Sequence, residues 1–195
     1  MDSSDGFFSE EELDALVTRF RNTVEQDAHE YFEADELEAI ADALLKRDDI
    51  VLAKSAIDYG YTMYPDNEDF QILDIHYHVL DNRSDSAEQL AKSFIDKHPD
   101  NVEVRLVLAS ILSDHGNHRE ALDLLEQARE LDPESEHAIT SLSMEYQVLG
   151  QHRKAIDLYR EILERDPEDE FALNELVFVY EVANEITEAI RFLTD

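Results

Sequence analysis

An all-α fold made of stacked antiparallel helix pairs is predicted for this chain by three features that agree with one another. Its four prolines, Pro65, Pro99, Pro133 and Pro167, stand 34 residues apart. Alanines at Ala53, Ala87, Ala121, Ala155 and Ala189 keep the same step. Between these marks apolar residues recur at intervals of three and four, the period of one helical face. Self-similarity at this period means one small unit repeated, each too thin to bury its own apolar face and stable only when stacked on its neighbours.

The elements follow in chain order. Residues 1–8 read as a disordered acidic N-terminus. Residues 9–33 read as a capping helix, because Ser9 with Glu12 makes a capping box and Leu13, Leu16, Val17, Phe20 and Val24 share one apolar face. This helix does not keep the repeat register, so it is expected to cover the open face of the first repeat. The array itself spans 34–195, with full repeats at 34–67, 68–101, 102–135 and 136–169 and a fifth, truncated one at 170–195. In the fourth, Ile139, Leu142 and Tyr146 mark one helix, Gly150 interrupts it, and Ala155, Leu158, Tyr159 and Ile162 mark a second running back. Pro167 follows because a ring without a donor N–H cannot continue the helix, and the next acidic cluster starts another. Continued spacing would put a further proline at about 201, so more repeats are expected beyond Asp195.

These residues resemble the tetratricopeptide repeat family over roughly 34–195. Gly116 and Gly150 match its turn glycines, Ala41 and Ala109 the small residue of its first helix, the alanine ladder that of its second, and Tyr146, Tyr159 and Tyr180 its interlocking aromatics. The resemblance implies a right-handed superhelical solenoid. Two repeats depart from the pattern. The second carries Asp74 and His78 where apolar and aromatic residues are expected, Asn82 and Ser84 in a turn without glycine, and Ala91 where a larger residue is usual. The first uses Lys46, Arg47, Asp48 and Asp49 as its turn and holds Gly60 inside its second helix. Both are candidate points of altered curvature.

Charge narrows the partners. The chain has 48 Asp and Glu against 16 Lys and Arg, a formal net charge of -32. A phosphate backbone or an anionic membrane surface would be repelled, so neither nucleic acid nor membrane is expected as a partner. Part of the excess sits at inferred helix starts, where the dipole favours anions: Asp66, Asp69, Asp100, Glu103, Glu134, Glu136, Glu168 and Glu170. The chain has no cysteine, hence no disulfide and no thiolate nucleophile or ligand. The start lacks a basic stretch followed by an apolar run, and no segment reaches the length of a membrane span, so a cytoplasmic protein is expected.

Catalysis is not expected, and neither is a metal or cofactor. Asp74 and His78 share a helical face at i and i+4, which suits a structural hydrogen bond or, more sharply, a pH-sensitive contact. His118 and His152 are one repeat apart and could stack, and His115 with His118 lacks a third metal ligand. No phosphate-cradling glycine loop occurs. The resemblance instead implies a concave groove lined by first helices. Carried over position by position, its residues are Glu38, Asp42, Ile72, His76, Leu106, Ser110, Thr140, Met144, Asn174 and Phe178. They grade from acidic to apolar, which suits a basic or amphipathic protein segment and an adaptor or scaffold. The Lys, Arg and Asn set with which some relatives grip chaperone C-terminal carboxylates is absent apart from Asn174. Two alternatives stand beside the adaptor: a client-holding chaperone and a self-associating scaffold.

Overall fold

The computed structural model describes residues 8–194. Among these it contains eleven α-helices and no strand. The chain divides into two compact units, one up to Phe94 and one from Ile95. The division falls inside the second repeat, where Asp74, His78 and a glycine-free turn depart from the pattern. Residues 1–7 of the expected disordered stretch lie outside the described residues, whereas Phe8, also assigned to that stretch, packs against the core of the N-terminal unit.

The N-terminal unit comprises α1 (Glu10–Glu25), α2 (Ala34–Lys46), α3 (Ile50–Met63), α4 (Asp69–Leu80) and α5 (Ser84–Ile95), the last of which reaches the boundary. The Ser9 hydroxyl accepts from the Glu12 amide at 3.3 Å while the Ser9 amide donates to the Glu12 carboxylate at 2.8 Å, so two otherwise orphaned donors are satisfied at the start of α1. α1 packs on α2 and α3. Phe20 and Phe32, both fully buried, meet each other and Tyr59 edge to face at centroid separations of 5.5–6.0 Å, and the Arg19 guanidinium lies 4.1 Å over the Phe32 ring. Burying each ring contributes about 1.5–3 kcal/mol. The segment 26–33 joining α1 to α2 is tied down by two phenols, Tyr59 donating to the Glu30 carbonyl and Tyr64 to the Phe32 carbonyl, each at 2.6 Å. Gly60 has its own purpose: a Cβ there would collide with the buried Phe70 ring of α4, so its absence lets α3 and α4 approach closely.

The C-terminal unit comprises α6 (Val102–Asp114), α7 (His118–Leu131), α8 (Glu136–Val148), α9 (His152–Arg165), α10 (Glu170–Val182) and α11 (Ile186–Thr194), and consecutive helices pack on one another. The first helix of each pair is capped at a position one repeat from the last. Asn101 accepts from the Val104 amide at 2.8 Å, Ser135 from Ala138 at 3.2 Å and Asp169 from Ala172 at 2.8 Å. Ala121 and Ala155 are fully buried, as a methyl group at a helix crossing must be, and Tyr146, Tyr159 and Tyr180 are buried as well. The buried Arg105 guanidinium donates through its two terminal nitrogens to the Pro99 carbonyl and, at 2.9 Å, to the Gln127 side chain, while its Nε is buried without a partner.

One turn recurs in both units. The residues at 48, 82, 116, 150 and 184 all have φ between 57° and 77°, the left-handed region, whether Asp48, Asn82, Gly116, Gly150 or Asn184. The amide following each bonds back to a carbonyl five residues earlier, for example Asn117 to Leu112 and Gln151 to Tyr146, each at 2.8 Å. This satisfies carbonyls that the ending helix leaves orphaned. The same arrangement closes α1, where Asp27 has φ 49° and the Ala28 amide bonds to Thr23. Asp and Asn take the glycine's place in the first two repeats because their short polar side chains tolerate this conformation. Among the described residues no helix is long and apolar enough to cross a membrane.

Candidate partner-binding face

The ten residues carried onto the groove fall four in the N-terminal unit and six in the C-terminal unit. On α2, Glu38 is half-buried and accepts from the Asn67 side chain at 2.5 Å. Burial pushes its carboxyl above the usual range, the Asn67 bond opposes that, and Asp69 and Asp35 reinforce it. Asp42, one turn on, is paired with Lys46 at 2.7 Å. Ile72 and His76 are half-buried on α4. This part of the face is therefore polar and largely engaged within the chain.

The C-terminal unit differs. Leu106 on α6 and Thr140 on α8 are half-buried, while Ser110 on α6 and Asn174 on α10 are exposed. Met144 on α8 and Phe178 on α10 are large apolar side chains with 48% and 51% of their surface exposed. They occupy equivalent places one repeat apart. Val148 and Val182, one turn further along the same helices and again one repeat apart, are 59% and 52% exposed, and Phe171 at the start of α10 is exposed as well. These three were missing from the sequence-derived set, although the 34-residue step from Val148 to Val182 was there to be read. The helices are held side by side by the Ser113 hydroxyl donating to Glu145 at 2.8 Å and the Gln147 amide donating to Glu175 at 3.0 Å. Two exposed apolar pairs thus stand on adjacent helices, with Ser110 and Asp114 in the corresponding places on α6.

The histidines behave otherwise than their spacing suggested. Asp74 pairs with Lys54 of α3 at 3.1 Å instead of with His78, because the ammonium reaches it from the preceding helix and brings a full positive charge. His78 packs edge-on to Tyr77, and its Nδ1 is buried without a hydrogen-bond partner. His118 does not answer to a histidine stack either: its Nδ1 lies 2.7 Å from the Glu145 carboxylate. No group of three or more metal-ligating side chains occurs among the described residues.

The fold, the caps and the 34-residue register define a tetratricopeptide-repeat protein. Within that class, the family model described as Psidin, N-terminal TPR repeats region, matches residues 72–186, more than half of the chain, and the chain belongs to this family. No curated protein matches it. Solved structures share its fold. A crystal structure of MamA is 21% identical, covering 84% of this chain and 92% of that one with a TM-score of 0.68. TTC0263, a thermophilic TPR protein of Thermus thermophilus, is 17% identical, covering 87% and 91% with a TM-score of 0.67. The structure of Naa15/Naa10 bound to HypK-THB contains a chain 16% identical to this one, covering 83% of this chain and 24% of that one with a TM-score of 0.66.

Proposed function

We propose that the chain is a non-catalytic protein-interaction scaffold whose first-helix face holds an amphipathic, basic segment of a protein partner. The observation that carries this reading is the exposure of Met144 and Phe178 at repeat-equivalent places. A large apolar side chain left half in water on one helix needs no explanation, but the same exposure repeated on the neighbouring helix makes a patch that a partner can cover. The net charge of -32 favours a cationic segment and speeds its encounter. Membership of a repeat family, and a fold shared with a protein whose structure was solved in a complex, support the same reading.

Selection of displayed random peptides against the full chain tests it. Selected segments should combine Leu, Ile or Phe with Lys or Arg, and a Met144→Ala/Phe178→Ala variant should bind them about thirtyfold more weakly, as loss of an interface anchor does. Selected peptides that bind the variant as well as the parent would refute the assignment. Binding of unrelated apolar segments with no sequence preference and no salt dependence would point to client holding instead.

A further inference from the structure

We infer that Tyr31 is a phosphorylation site, taking the γ-phosphoryl group of ATP from a tyrosine kinase with a basic substrate cleft, and that the phosphate loosens α1 from the first repeat. The chain has eight tyrosines, all of them among the described residues. Tyr31 alone is exposed, at 61%, while the others are half-buried or buried. It sits in the irregular segment 28–33, whereas the others lie within helices or, for Tyr64, at the C-cap of α3.

A kinase lays its acceptor residue across its own surface, which requires an exposed hydroxyl on backbone outside a helical ladder. Tyr31 meets both conditions. Carboxylates at Glu30, Glu33, Asp35 and Glu36 flank it in sequence, so the cleft that complements this stretch is cationic. In the transfer the phenolic oxygen attacks the γ-phosphorus, the bond from that phosphorus to the departing ADP oxygen breaks, and the phenolic proton passes to the kinase's own base.

The group so formed conflicts with the native contacts. The Tyr31 hydroxyl donates to the Glu33 carboxylate at 2.9 Å and lies 3.3 Å from the hydroxyl of Tyr64, the C-cap of α3. A phosphate ester has lost the phenolic proton and brings about two negative charges, so it repels the carboxylate and the negative end of the helix dipole alike. Arg19 donates to the Tyr31 carbonyl at 3.5 Å, but its charge is already shared between Glu30 at 3.4 Å and Glu36 at 3.0 Å. The same segment ties α1 down: Thr23 donates to Glu30 at 2.8 Å, Phe20 packs on Phe32, and Tyr64 holds the Phe32 carbonyl. Displacing Tyr31 therefore strains the contacts that fix the second half of α1 to the first repeat.

The test incubates the full chain with ATP and a purified tyrosine kinase of acidic substrate preference, beside a synthetic peptide of residues 25–37 that reports whether the kinase accepts the sequence. Mass spectrometry should place one phosphate on Tyr31 of the parent and none on Tyr31→Phe. Amides of α1 from Leu16 to Glu25 should then exchange with deuterium severalfold faster, with those of α8 unchanged. Glu33→Gln, once phosphorylated, should show a smaller rise, because one of the two repulsions is gone. A peptide left unmodified would overturn the acidic recognition. A kinase that modifies the peptide but not the folded chain, or other tyrosines equally, would overturn the site. Phosphate on Tyr31 with unchanged exchange in α1 would overturn the loosening.

Discussion

His118 Nδ1 lies 2.7 Å from the Glu145 carboxylate, which is 5% exposed and also accepts from the Ser113 hydroxyl. Glu145 occupies the place held by Ile111 in the preceding repeat and Val179 in the following one, both buried and apolar. A single buried carboxylate is thus held by a histidine 27 residues away in a position that the array otherwise fills with hydrocarbon. Removing the histidine alone strands the charge, so His118→Ala should destabilise the chain by about 2 kcal/mol. Glu145→Val, which restores the residue type of its neighbours, should be neutral or stabilising, and most of the His118→Ala cost should vanish in the double variant. A urea-unfolding cycle on the four proteins measures this coupling, and strict additivity would contradict it.

Gly60→Ala should lower stability even though alanine is the better helix former by about 1 kcal/mol. The new methyl group meets the fully buried Phe70 ring, and overpacking of this kind costs about 1–3 kcal/mol. Adding Phe70→Leu should recover part of the loss. Thermal unfolding monitored by circular dichroism reads both changes, and a stabilised single variant would contradict the account of that contact.

The recurring left-handed turn predicts opposite effects at two positions. Gly150→Ala places a Cβ at φ 69° and should cost about 1 kcal/mol, whereas Asp48→Gly relieves the same penalty and should stabilise by about 0.5 kcal/mol. Urea midpoints should shift in opposite directions with unchanged slopes. The same turn shows what could be read in advance and what could not. The prolines, the alanine ladder and the glycines at 116 and 150 announced helix pairs, and the capping box at Ser9 announced α1. The turns at Asp48 and Asn82 read as departures because glycine was the residue sought, while the chain needs only a conformation that Asp and Asn also reach.

Pairings across helices were hidden for a different reason. The i, i+4 rule joined Asp74 to His78, but the lysine that takes Asp74 comes from the preceding helix, and no local pattern contains it. The His118–Glu145 pair is masked by periodicity itself, since the equivalent neighbour of Glu145 is a valine and that of His118 is another histidine. On the proposed binding face, Met144 and Phe178 were legible as repeat-equivalent positions. Val148 and Val182 needed the exposed surface to be seen.

Alkaline pH should unfold the chain through its tyrosines. Burial holds the phenols of Tyr61, Tyr146 and Tyr159 well above the ordinary value, helped by Asp74 at the first, by the Glu126 carboxylate at the second and by Glu175 at the third. Above the ordinary phenol value of about 10 the unfolded chain binds fewer protons than the folded one. These groups therefore leave stability unchanged below about pH 10 and reduce it above. Tyrosinate absorbance and helical circular dichroism followed through a pH titration should change together; tyrosines ionising near pH 10 with the helices intact would contradict this.

The binding face is tested most directly by titrating one selected peptide into the parent chain and into Met144→Ala/Phe178→Ala, at low and at moderate salt, with unfolding curves recorded for both proteins. Both side chains are about half exposed, so each substitution should cost only about 1 kcal/mol and leave the variant folded. The account predicts that affinity falls about thirtyfold in the variant, and that the affinity of the parent weakens as salt screens the acidic chain. Equal affinity for the two proteins, with both folded, would contradict it.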